Sequence, residues 1–118
     1  MTTHTIELTD EQARALRTAA VLRRNIIRAT QINVTQTDER VLDGMIAPLD
    51  SIGWPAHTDK RPLAISAQQA RALYITAALR RNSLRDRARR SGRPVGADCA
   101  VLTSLLDPLH SATGWTAA

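Results

Sequence analysis

From residue 13 onward, apolar side chains recur at helical spacing: Ala13, Ala15, Leu16, Ala19, Ala20, Leu22, Ile26, Ile27 and Ala29. At about 100° per residue they cover an arc of roughly 200°. An arc that wide can face two neighbours. Helical spacing returns at Val41, Leu42, Met45, Ile46 and Leu49, along residues 69–90, and at Val101, Leu102, Leu105, Leu106 and Leu109. The period predicts four helices. Ahead of the first and third, Ile6-Glu7-Leu8 and Leu63-Ala64-Ile65 alternate as half-buried strands do, and these two segments are candidates to pair as a minimal sheet.

Helix ends are also legible. Thr9 is followed three residues later by Gln12, and Ser66 by Gln69, the spacing of a capping box in which hydroxyl and amide side chains satisfy each other's backbone N–H groups. The first helix is predicted to run to about residue 30 and the third to about residue 90, where Ser91-Gly92-Arg93-Pro94 ends it. The second and fourth start near Asp38 and Asp98. Pro48 and Pro108 fall late in them, and the missing N–H with its crowded ring predicts a kink or a restarted helix.

The chain spells this pattern twice. QARALRTAAVLRRN (12–25) and QARALYITAALRRN (69–82) are largely identical at an offset of 57, and with three more residues in the second copy's middle loop VLDGMIAPLDSIGW (41–54) aligns with VLTSLLDPLHSATGW (101–115). The fold class expected is all-α: a tandem duplication of a helical hairpin, residues 1–60 and 61–118, packed about a pseudo-two-fold axis as one four-helix domain. Gly-Trp closes each copy. Because the chain has only two tryptophans, one tyrosine and no phenylalanine, Trp54 and Trp115 are expected to be structural anchors buried in the core, with ligand stacking as the competing reading.

Charge adds an asymmetry. The net charge is +5, and every basic residue except Lys60 is arginine, a bias that a G+C-rich coding sequence produces in any protein. Placement says more than number. Residues 1–60 hold seven basic and eight acidic side chains, whereas residues 61–118 hold nine and three. In the first helix Arg14, Arg17, Arg24 and Arg28 fall within about 80° opposite the apolar arc, a stripe whose ordinary role is solvation. Its counterpart in the third helix is Arg71, Tyr74, Arg81, Arg85 and Arg89. Arg23 and Arg80 instead fall inside the apolar arc, so they are expected to be structural, each tied to carbonyls or to Asp43, Asp50 or Asp107, since an unpaired buried charge costs several kcal/mol. The alternative is that the two grip a ligand at the symmetry axis.

The stretch RRNSLRDRARRSGR, residues 80–93, has seven arginines and one acid and no counterpart in the first copy. Arg81, Arg85, Arg87, Arg89, Arg90 and Arg93 are the candidate binding residues, for an acidic protein surface or for nucleic-acid phosphates, with solubility as a third use. Catalytic chemistry is not indicated. His4, His57 and His110 stand apart without ligand spacing, and no Cys-x-x-Cys, His-Glu-x-x-His or Gly-Lys-Ser/Thr pattern occurs, so no metal or cofactor is expected. On a continuous helix Cys99 and His110 would lie about 16 Å apart, beyond proton-transfer reach, which leaves Cys99 as a core residue. The connections are too long for a helix-turn-helix, and zinc-finger and basic-zipper patterns are absent.

With one cysteine, no signal peptide and no apolar run near ~20 residues, the chain is expected in the cytoplasm and not in a membrane. In composition it resembles small accessory proteins of actinobacteria and their phages, a likeness with no motif behind it. The expected function is that of a small non-enzymatic module docking on another protein. The alternative is a nucleic-acid-binding protein using residues 80–93, directed at the backbone and weakly sequence-specific. Self-association as a homo-oligomer is left open.

Overall fold

The computed structural model describes residues 3–30, 36–57 and 59–115. Its elements run β1 (Thr3–Leu8), α1 (Asp10–Thr30), α2 (Gln36–Gly53), β2 (Arg61–Ser66), α3 (Ala67–Ser91) and α4 (Ala97–Thr113). The fold is mostly helical, with four helices among the described residues, and the two candidate segments pair as a two-stranded antiparallel sheet. Its physical cause is the half-buried alternation: backbone groups held against a core need partners, and each segment offers the other an edge. Ile6 stands opposite Leu63, His4 opposite Ile65 and Leu8 opposite Arg61. Ile6, Leu8, Leu63 and Ile65 point into the core while Thr5, Glu7 and Ala64 face water. Two strands alone would be marginal, and the helices beneath stabilise them.

Both capping boxes form. Thr9 Oγ1 accepts the Gln12 amide at 3.1 Å and Gln12 Oε1 accepts the Thr9 amide at 2.9 Å; Ser66 and Gln69 repeat the pair at 3.1 and 2.8 Å. Gly92 ends α3 in the left-handed region at φ 66°, where the Arg93 amide reaches back to the Ala88 carbonyl at 3.0 Å. The prolines do not break their helices: α2 and α4 continue through Pro48 and Pro108. Both rings face solvent, as do Gly44 and Ser104 four residues earlier, so the carbonyls they leave unbonded can be hydrated.

α1 packs chiefly on α2 and α3 on α4, while α1–α3, α1–α4 and α2–α3 contacts join the halves. One apolar cluster runs through all four helices and the sheet. Its largest fully buried members fall at matching positions of the two copies: Leu8 and Ile65, Leu16 and Leu73, Leu42 and Leu102, Met45 and Leu105, Leu49 and Leu109. Between them sit small residues, Ala13, Ala20, Ala70 and Ala77, which let the helices approach closely. Among the described residues no helix is long and apolar enough to cross a membrane. Replacing Leu16 or Leu73 with alanine is expected to cost about 2–5 kcal/mol in chemical denaturation.

Asp10, the first residue of α1, fastens the connection between the halves. Its carboxylate accepts the Glu11 amide at 2.8 Å, the Arg14 guanidinium at 3.0 Å and, from the linker, the His57 amide at 3.3 Å. Burial alone would raise its pKa, but the His57 and Glu11 amides and the Arg14 charge together hold the carboxyl below its usual range. A carboxyl depressed in the folded state stabilises above its unfolded pKa of about 3.9, and that contribution is lost as pH falls through the lower folded value. The wild-type chain should therefore melt above Asp10→Asn at pH 7, and the gap should close as thermal unfolding is followed down below pH 4.

Candidate functional site

The repeated glycine–tryptophan endings do not bury their indoles. Trp54 is 48% exposed and Trp115 40%, which corrects their expected place in the core. They follow the ends of α2 and α4, outside the leucine layer, and serve as platforms for arginines. The Arg14 and Arg17 guanidiniums lie 6.0 and 5.7 Å from the Trp54 ring centre, and Arg71 lies 5.9 Å from that of Trp115. A Cβ on Gly53 would come within 2.9 Å of Arg14 Cγ, so glycine permits the close approach of α1 to the end of α2. Arg71 Nε donates to the Thr113 carbonyl at 2.9 Å and caps α4. Arg14 and Arg71 are the functional partners of the Gly-Trp endings that sequence reasoning missed. Their shared presence in both copies was the available signal.

The outward stripe of α1 turns out to hold the first hairpin together. Arg17 pairs with Asp50, Arg24 with Asp43 at 2.8 Å, and Arg28 with Glu39 and, at 3.4 Å, Asp43. The hydrogen bond to Glu39, with Asp43 nearby, raises the Arg28 pKa above its ordinary value despite partial desolvation. At the positions matching Arg17 and Asp50 the second half has Tyr74 and His110, whose rings meet edge to face at 5.5 Å, and Tyr74 also abuts Trp115 at 5.8 Å. An ion pair in one hairpin is thus an aromatic contact in the other.

Arg23 and Arg80 lack the expected ties. Both are half-buried, and among the described residues neither has a carboxylate or carbonyl partner, because Asp43 and Asp50 are taken by the outward stripe and Asp107 is exposed elsewhere. The arc drawn from periodicity was too wide at this edge. Leu22 and Ile26 are 39% and 55% exposed, and with Leu79, at 45%, they line an open groove of ≈ 160 Å³ between α1 and α3. Arg23, Arg80 and Arg87 complete its walls. The groove combines an aliphatic floor with three guanidiniums and no carboxylate.

The candidate binding arginines do not form one cluster. Arg85, Arg87, Arg89 and Arg90 are exposed on the last turns of α3 and Arg93 on the loop beyond, while Arg81 is half-buried and bonds to Asn82. Arg89 and Arg90 both pair with Asp86, at 2.6 and 3.1 Å, and the Arg89 hydrogen bond, then the Arg90 charge, hold that carboxyl below its usual range. Arg87 faces the groove instead. Cys99 is buried at the start of α4 beneath the Arg81 carbonyl, and among the described residues no group of three or more His, Cys, Asp or Glu stands together. Set against protein-family models, curated proteins and solved structures, the chain matches none.

Stability should follow this rearranged pairing. Arg24→Ala is expected to cost up to about 1 kcal/mol, as ion pairs at a partly exposed hairpin seam do. Arg23→Ala and Arg80→Ala should stay within about 0.5 kcal/mol of wild type in the same denaturation series, since neither breaks a hydrogen bond or ion pair among the described residues.

Proposed function

We propose that this chain is a small non-enzymatic binding module that docks on another protein through the arginine-lined groove between α1 and α3. The observation that carries the reading is the open pairing of Leu22, Ile26 and Leu79 with Arg23, Arg80 and Arg87, side chains whose apolar area and charge both lack partners among the described residues. Contact with a partner would cover the aliphatic floor and supply acids to the rim, the arrangement found at buried interface centres. The module is read as a tandem duplication related by a pseudo-two-fold axis. The strand register supports this, because Ile6 pairs with Leu63, its own counterpart 57 residues on. A lone cysteine and the lack of a membrane-spanning helix among the described residues favour a cytoplasmic setting.

Nucleic-acid binding is the second reading, favoured by the exposed run Arg85, Arg87, Arg89, Arg90 and Arg93. An aliphatic groove contributes little to phosphate contact, and Tyr74 stands about 20 Å along α3 from Arg87, too far to stack a base beside it.

Pull-down from the host tests the two together with a DNA salt titration. The protein-binding reading expects a captured protein that is lost with the Leu22→Gln/Leu79→Gln variant, alongside weak DNA binding. Tight DNA binding that falls with a log–log salt slope of about −4.5, as five phosphate contacts would give, and that disappears in Arg87→Gln/Arg89→Gln/Arg90→Gln, would overturn it.

A further inference from the structure

The two hairpins treat the same arginines differently. In the first, Arg24 is braced by its neighbour, with Nε and Nη2 each donating to Asn25 Oδ1 at 3.3 Å, and Nη1 is left to hold Asp43 at 2.8 Å. Arg28, one turn on, holds Glu39 and Asp43. In the second, Arg81 takes the same posture: Nε and Nη2 donate to Asn82 Oδ1 at 3.2 and 3.1 Å. Its Nη1 has no partner among the described residues, and neither has Arg85, the counterpart of Arg28. The repeated Arg-Asn step is a brace that aims one guanidinium edge at the facing helix.

What that edge faces has changed. The positions matching Glu39 and Asp43 are Cys99 and Thr103. Thr103 donates its hydroxyl to the Cys99 carbonyl at 2.8 Å, and Cys99 Sγ lies under the Arg81 carbonyl; neither side chain carries the negative charge that Glu39 and Asp43 bring, and among the described residues neither bonds to the guanidiniums. Losing two carboxylates also leaves space. An open cleft of ≈ 460 Å³ lies there, lined by Arg85, Val95, Gly96, Cys99, Ala100 and Thr103. Asp86, the acid nearest along α3, is occupied by Arg89 and Arg90.

We infer that Arg85, which lines the cleft between α3 and α4, together with Arg81 one turn before it on α3, receives an acidic side chain of the partner protein in the place that Asp43 and Glu39 fill within the first hairpin. The inference rests on the reading of the chain as a protein-binding module. The chemistry is that of a carboxylate: the same braced arginine and its neighbour already hold two in the first hairpin, and exposed Val95 with Ala100 gives the cleft an apolar lip suited to a Glu or Asp stem.

The site can be refilled from within. Thr103→Asp puts a carboxylate at the position of Asp43, so it should raise Tm by about 1–4 °C. In a titration of the full chain with an oligoglutamate peptide, followed by the Arg Nε–H resonances, Arg81 and Arg85 should shift first. Thr103→Asp and Arg81→Gln should each weaken that binding at least about fivefold. Shifts confined to Arg87, Arg89, Arg90 and Arg93, with Thr103→Asp binding as wild type, would overturn this site and leave the protein-binding reading standing. Inorganic phosphate acting on Arg81 and Arg85 as tightly as oligoglutamate would overturn the assignment to carboxylate. Tight duplex DNA binding without oligoglutamate binding would sink both readings.

Discussion

The structure depends on burying one leucine layer that both halves build together. Leu16, Leu42 and Leu49 in one hairpin and Leu73, Leu102, Leu105 and Leu109 in the other are each 1% exposed or less, and the spaces between them are closed by alanine. No phenylalanine is present to thicken that layer. The helices therefore sit close and the core ends early. Bulky groups that a larger core would absorb, the two indoles and the long arginine stems, are left at its margins, where they pack on one another.

This explains why arginine does so much in so small a fold. At the first hairpin's seam Arg17, Arg24 and Arg28 meet acids from α2, and Arg14 meets Asp10, so the charges are neutralised where they stand. Pairs of this kind at a wet surface each stabilise by less than about 1 kcal/mol, and their main effect is on the register of α1 against α2. The second hairpin keeps the register by other means: Tyr74, His110 and Trp115 pack together, and Arg71 caps α4. Its remaining guanidiniums are thereby released from structural duty. The excess charge of the second half reflects fewer carboxylates on α4 than on α2 as well as more arginines on α3 than on α1.

Positions that do the same job in both halves, the capping boxes and the leucine layer, belong to the fold. Positions where an arginine pairs with acids in one half and its counterpart has no carboxylate partner among the described residues in the other differ in what holds them. Arg81 and Arg85 are of the second kind, and Arg23 and Arg80 have no carboxylate partner among the described residues.

Local features were readable in the sequence because their causes are local. The helices follow from three-and-four spacing, the starts of α1 and α3 from a hydroxyl and an amide three residues apart, the end of α3 from Gly92, and the strand pairing from two alternating segments that share one buried face. The candidate arginines, too, were visible as residue types. Their roles were not. Whether Arg23 or Arg24 meets a carboxylate depends on where α2 crosses α1, and a helical wheel gives the direction of a side chain without the position of its neighbour. The same blindness placed both tryptophans in the core: hydrophobicity argues for burial, but a residue just beyond a helix end is buried only if another element lies over it, and here arginines and, at Trp115, the Tyr74 and His110 rings cover the indoles only in part. The groove and the cleft arise from the distance between helices, a property of no single segment, so only the tertiary structure could decide them.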